Sequence, residues 1–344
     1  MSGERALVLV VGAGRSGTSL LSGILGQLGL HIPQPEVKAD DTNPRGFGEP
    51  RWVVDFHTRL LRSHLVTVND SRPSAWELTA RAAEDPRVRT ELRGWLGAEL
   101  EQHGAIVVKD PRTAWFLPLW ARCARELGVD PDYMTMLRHP AETLTSARTS
   151  YGTWQSAASR AAAWLNVSLE TERATRGARR VFIGYDDLLA DWRREITRAA
   201  GRLDVPPLRA IEDARAARVD AFVDPGLHRH RIRWAELDEP VPPRVSDLAE
   251  RALAGLQRLA QVGGDDASAR EALDAVHAEY ATLHGEAEAI AQSAIFAAKR
   301  RPRKRAAAAG APPTLYVRLA RRVPKRYRVR ARRAVSALRR AGRD

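Results

Sequence analysis

Four short clusters carry the residue types of anion binding and group transfer: "GAGRSGTS" at 12–19, "KDPR" at 109–112, "RHPAETLTS" at 138–146 and "GYDDL" at 184–188. In the first, Gly12, Gly14 and Gly17 satisfy G-x-G-x-x-G. Gly12, Gly17 and Ser19 also satisfy the phosphate-loop pattern G-x-x-x-x-G-K-[ST], except that Thr18 stands where the lysine belongs. The backbone amides of residues 14–19, the hydroxyls of Ser16, Thr18 and Ser19 and the Arg15 guanidinium would together cradle an anion.

Which anion follows from charge. A dinucleotide needs an acid about 20 residues further on, at the end of a second strand. Glu36 is near that distance, but "HIPQPEV" is broken by prolines and offers no clear strand. A nucleoside triphosphate needs the loop lysine and a magnesium-holding Ser/Thr and Asp. One arginine suits a donor with less charge in the loop, such as a phosphosulfate. Arg138 and Ser146, eight residues apart, fall about two helical turns from one another near one face, where a guanidinium and a hydroxyl could hold a further phosphate. Glu49 follows a glycine-rich turn at the start of a helix expected over 49–61 and is the candidate general base; Glu36 is its rival and His57 the third candidate.

These clusters need a scaffold. "ALVLVV" at 6–11 reads as a strand buried on both faces, and 18–28 as a helix with Leu20, Leu21, Ile24, Leu25 and Leu28 on one side. Further strands are expected at 105–108, 133–137 and 181–183, separated by helical stretches. Alternating strands and helices predict an α/β fold with a central, mainly parallel sheet flanked by helices. Each strand runs into one of the four clusters, so all four should meet at the carboxyl edge, where ligands bind in open sheets.

At this point the residues resemble the sulfotransferases that use 3′-phosphoadenosine 5′-phosphosulfate (PAPS). "GRSGTSLL" is similar to that family's 5′-phosphosulfate loop, and Arg138, Pro140 and Ser146 to its 3′-phosphate motif. "KDPR" resembles a segment of tyrosylprotein and many bacterial sulfotransferases, "NPRGFGE" at 43–49 the bacterial N-P-x-G-x-x-E segment, and "GYDDL" the family's Y-E-D-L segment. The resemblance covers about residues 5–235. It implies the phosphate-loop sulfotransferase fold and PAPS as donor substrate, bound by Gly14, Arg15, Ser16, Gly17, Thr18, Ser19, Arg138 and Ser146. It also implies Glu49, Lys109 and Arg15 as catalytic groups, with Lys109 on the bridging oxygen, and a hydroxyl acceptor on a glycan or glycolipid. Tyr185 and Asp186 read as scaffold. A phosphate-loop kinase is the alternative enzyme.

The remaining sequence divides by charge. From Lys299 onward it carries 18 Lys and Arg against one acid, so the whole-chain charge of +13 separates into +17 there and −4 on the rest. The expected organisation is a catalytic domain over 1–240, a helical hairpin over 244–298 and a basic tail over 299–344. The tail suits an anionic membrane or polyanion, which gives the non-enzymatic alternative: a nucleotide-binding protein acting through its tail. The hairpin's second helix carries a heptad seam from Leu273 through Val276, Tyr280, Leu283, Ala287, Ile290 and Ala294 to Ala297, which suits packing on the body or a homodimer. No apolar run is long enough to span a bilayer, no signal peptide is evident, and the single Cys123 excludes an internal disulfide, so a cytoplasmic protein, peripheral at most to the inner membrane face, is expected. His228 and His230 lack a third metal ligand in "DPGLHRHRIRW" at 224–234, and no metal centre is expected. Trp52, Trp115, Trp154 and Trp164 suit either sugar stacking or the core.

Overall fold

The computed structural model describes residues 4–40, 46–151, 155–224, 226 and 232–300. Strands β1 (Ala6–Val11), β2 (Ala105–Lys109), β3 (Asp132–Leu137) and β4 (Arg180–Gly184) form one parallel sheet in the order β2-β1-β3-β4. Helices α1 (Thr18–Gln27), α2 (Arg51–Ser63), α3 (Ala75–Ala80) and α4 (Pro86–His103) lie between β1 and β2 in the chain. Helix α5 (Leu117–Glu126) joins β2 to β3, and α6 (Pro140–Tyr151) and α7 (Ala157–Ala174) join β3 to β4. After β4 come α8 (Tyr185–Ala190), α9 (Trp192–Ala200), α10 (Pro206–Arg209), α11 (Asp213–Phe222), α12 (Pro243–Val262) and α13 (Ala267–Arg300).

The strands are apolar throughout because both sheet faces are covered. Alternate side chains of β1 enter two different cores. Leu7, Leu9 and Val11 pack with Ile106, Val108 and residues of α2, α4 and α5. Val8 and Val10 pack with Val107, Met134, Val181, Ile183 and the apolar face of α1. The register pairs Val10 with Lys109, Val11 with Thr135 and Leu137 with Gly184, so the strands end nearly level and their following loops share one edge.

A third core joins the helices that follow. Leu137, Phe182, Trp164 and Leu165 meet Leu248, Leu256 and Leu259 of α12 and Leu273, Val276 and Tyr280 of α13. Gly255 allows this approach, since a Cβ there would stand 2.9 Å from the Leu273 side chain. The chain divides into two compact units, Met1–Glu286 and Ala287–Asp344. The expected seam on α13 is buried only through Tyr280. Leu283 is half-buried, and Ala287, Ile290, Ala294 and Ala297 are exposed, Ile290 at 84%. Alanines at heptad positions supply the spacing of a seam without the area that would bury it. Past Arg300, the basic tail lies outside the described residues.

The three loop glycines serve different ends. Gly12 (φ 127°) passes so close to β3 that a Cβ would sit 2.8 Å from the Met136 carbonyl oxygen. Gly17 (φ 95°) lies directly against the Tyr185 ring. A Cβ at Gly14 would meet open space. The G-x-G-x-x-G spacing therefore combines two steric requirements with one position that faces outward. Gly17→Ala is expected to lose about 2–4 kcal/mol of stability in denaturant unfolding, from left-handed strain plus overpacking, with Gly12→Ala similar. Gly14→Ala should stay within about 1 kcal/mol of the parent.

Candidate active site

The loop after β1 is held in an unusual conformation. Arg15 has φ 69°, a left-handed value that a non-glycine residue adopts at a cost of about 1–2 kcal/mol. Two contacts offset that cost. Arg15 Nε donates to Ser146 Oγ at 3.0 Å, and the Arg15 carbonyl accepts from Arg138 Nη1 at 3.4 Å. The loop is thereby tied to the end of β3 and to α6. Gly17 is the N-cap of α1 and supplies no side chain to its first-turn amides. An uncapped helix start collects N–H donors and the positive end of the helix dipole. Ser16 is buried, and its Oγ has no hydrogen-bond partner among the described residues. An orphaned hydroxyl beside uncapped amides, with open space at Gly14, fits an anionic group in the loop.

The second part of the site comes from β2. Lys109, its last residue, is 2% exposed, and its Nζ donates to Glu49 Oε1 at 2.6 Å and to Ser19 Oγ at 3.1 Å. Glu49 is held in place by backbone contacts on both sides. Its carbonyl accepts from Val37 N at 2.8 Å, Arg51 N donates to the Pro35 carbonyl at 2.8 Å, and Glu36 bridges Pro50 in antiparallel fashion. Gly48 (φ 61°) rests against Ser22 of α1, whose hydroxyl donates to the Gly48 carbonyl. Helix α2 starts at Arg51, not at Glu49 as the sequence suggests, because Pro50 and this bridge keep the preceding backbone extended. Glu49 is thus a fixed residue ahead of the helix. Asn43, Pro44 and Arg45 of the same segment lie outside the described residues.

The rival bases are placed elsewhere. The Glu36 carboxylate accepts from Gln34 Nε2 at 2.8 Å and is not part of the Lys109 contact. His57 is fully buried and both its ring nitrogens are used. Trp120 Nε1, which can only donate, stands 2.9 Å from Nε2, so Nδ1 carries the proton and donates to Asp110 Oδ2 at 2.8 Å. His57 thus supports Asp110. Asp110 in turn caps the 3₁₀ turn Pro111–Phe116, accepting from Arg112 N at 3.2 Å and Arg112 Nη1 at 2.6 Å. Burial alone would push the Asp110 carboxyl up; the His57 hydrogen bond, with the Arg112 charge, outweighs it and draws the carboxyl down to about 2.

Besides the Arg15 carbonyl, Glu142 and Tyr185 hold Arg138. Its Nε donates to Glu142 Oε2 at 2.8 Å, and its guanidinium lies over the Tyr185 ring at 4.3 Å. Burial raises the Tyr185 phenol, which stays neutral as a platform. Beside Gly14 opens a cavity lined by Ala13, Asn69, Thr143, Arg160 and Trp164. Nothing local singles out Arg160, which sits in the alanine-rich run of α7. Of the four tryptophans, Trp115 is core, donating to the Val68 carbonyl and stacking on Trp76; Trp52 stacks on Trp95. Trp164 borders the cavity, and Trp154 lies outside the described residues, as do His228 and His230.

The family model described as "Sulfotransferase family" matches residues 8–209. Among solved structures, the sulfotransferase domain from the Synechococcus PCC 7002 olefin synthase is similar, at 17% identity and a TM-score of 0.40, covering 77% of this chain and 98% of that one. No curated protein matches the sequence.

The Asp110 contacts have a pH signature. A carboxyl lowered on folding stabilises the fold above about pH 4, and that stabilisation is lost as pH falls toward about 2. Asp110→Asn is expected to lose about 2 kcal/mol at neutral pH and to converge with the parent near pH 2, read from urea unfolding across the acid range.

Proposed function

Because the chain belongs to the sulfotransferase family, we propose that it moves the sulfuryl group of PAPS to an acceptor hydroxyl. One observation carries this reading: a single buried ammonium, Lys109, touches both the carboxylate suited to be the base and a hydroxyl of the anion loop. The group that would stabilise a leaving oxygen and the group that would take the acceptor proton stand side by side at the loop.

The uncapped start of α1, with Ser16, Thr18 and Ser19, holds the 5′-phosphosulfate, and Arg15 neutralises it. Arg138 and Ser146 take the 3′-phosphate. As the donor enters, its negative charge draws Lys109 Nζ from Glu49 toward the oxygen that bridges phosphorus and sulfur. This frees the Glu49 carboxylate. The acceptor oxygen attacks sulfur in line, its proton passes to Glu49, and the bond from sulfur to the bridging oxygen breaks. Lys109 N–H donates to that oxygen as charge develops on it, and adenosine 3′,5′-bisphosphate leaves. The cavity beside Gly14, bordered by Trp164 and Arg160, supports an acceptor that is both flat-faced and polar, as a sugar of a glycan or glycolipid is.

The full chain should bind adenosine 3′,5′-bisphosphate and transfer label from PAPS to a member of a panel of glycan, lipid-linked and phenolic acceptors. Glu49→Gln should lower kcat by about 10²–10⁴-fold while leaving bisphosphate affinity unchanged. A full rate in that variant would remove Glu49 from the base role, and no bisphosphate binding by the parent would overturn the PAPS reading. Lys109→Met should lose both activity and stability, about 3–5 kcal/mol, because Glu49 is left buried and unpaired. The pair Lys109→Met with Glu49→Gln should regain most of the stability and none of the rate, which separates the two roles.

A further inference from the structure

We propose that His31, Glu99 and His103 form a binding site for a divalent transition metal, with zinc the fitting ion. Glu99 and His103 stand one turn apart on α4, near its end. His31 comes from the segment after α1, pinned to the sheet edge where its amide donates to the Ala105 carbonyl and its carbonyl accepts from Val107 N, each at 2.9 Å. Because β2 begins directly after α4, this pinning sets His31 over the helix end.

The side-chain geometry matches a cation better than a hydrogen-bonded cluster. Glu99 Oε2 lies 3.7 Å from His31 Nε2 and 3.9 Å from His103 Nε2, and one ligand atom from each residue falls within 4.8 Å of the others. Among the described residues, none of these three side chains makes a hydrogen bond, since both contacts exceed that range. Two atoms each about 2.0–2.2 Å from one zinc ion stand at most about 4.3 Å apart, so both carboxylate–imidazole distances already satisfy a shared ion. The two imidazole rings are stacked, with centroids 3.4 Å apart and planes within 10°. Their in-plane lone pairs therefore run parallel, and turning the His103 ring out of the stack would bring both nitrogens to one ion. All three side chains keep some solvent exposure, which leaves a path for the ion and room for water as a fourth ligand.

Two imidazoles and a carboxylate are a donor set that zinc favours over magnesium or calcium. The ion would join α4 to the segment that continues through the Glu36–Pro50 bridge to Glu49. It lies outside the contacts made by Lys109 and would act as a staple, independent of the reaction proposed above.

The test uses the full chain stripped with a chelator and titrated with zinc chloride by calorimetry, with cobalt(II) absorption as a spectroscopic check. One zinc per chain should bind and raise Tm with zinc concentration. Glu99→Gln and His103→Ala should each weaken binding at least about tenfold and abolish the Tm shift. The His228→Ala/His230→Ala pair should leave both intact. No zinc binding by the parent, binding indifferent to Glu99→Gln and His103→Ala, or binding lost in the His228/His230 pair would each overturn the proposal.

Discussion

The candidate site depends on the buried contact of Lys109 with Glu49. It brings together three parts of the chain that share no local sequence: the end of β2, the first turn of α1 through Ser19, and the backbone ahead of α2. Removing both charges from water is costly, and an ion pair alone seldom offsets that. Here the Ser19 hydroxyl satisfies a second ammonium proton, and the 2.6 Å separation gives a strong charge-assisted bond. The loop lysine missing at Thr18 also finds its counterpart. A phosphate loop ordinarily carries its ammonium on the first turn of its own helix; here the neighbouring strand delivers one to the same turn.

The sheet makes this delivery possible. With β1 between β2 and β3, the loop after β1 is flanked by Lys109 on one side and Arg138 on the other. Lys109 closes β2 and Arg138 directly follows β3, so a one-residue slip in either register would turn the cation away from the shared edge. The left-handed Arg15 is the local price of the same arrangement: its side chain turns toward Ser146 while its carbonyl turns toward Arg138.

Much of this was legible in the sequence, for reasons that also mark the limits. The four strands agree with the sequence within one residue at every end because uniformly apolar runs closed by charged or glycine clusters have few alternative readings. Their shared edge followed from parallel topology. The start of α2 differs from the expected Glu49 because a proline suits the first turn of a helix, whereas here a bridge from Pro50 to Glu36 holds the backbone extended. The α13 periodicity runs past the part that this chain buries, because periodicity counts positions and not buried area. His57 stands last among the candidate bases in the sequence, where nothing local marks its partners: Asp110 lies 53 positions away and Trp120 63. His31 likewise meets the Glu99/His103 pair only through the pairing of its backbone with β2, so no spacing along the chain reveals the three as a group.

Tyr185 carries the last consequence of the architecture. One face of its ring supports the Arg138 guanidinium, and its edge closes against Gly17. The two ends of the proposed donor site, the loop that receives the 5′ group and the arginine that receives the 3′ group, are therefore spaced by a single aromatic side chain. The ring is rigid and neutral, so the spacing does not vary with protonation. A cation over an aromatic face is held by about 0.5–2 kcal/mol, enough to orient a guanidinium yet weak enough for it to turn toward a phosphate. In the proposed donor site, fixed spacing with a yielding contact would let one donor reach both ends, which gives a reason for an aromatic residue directly after β4.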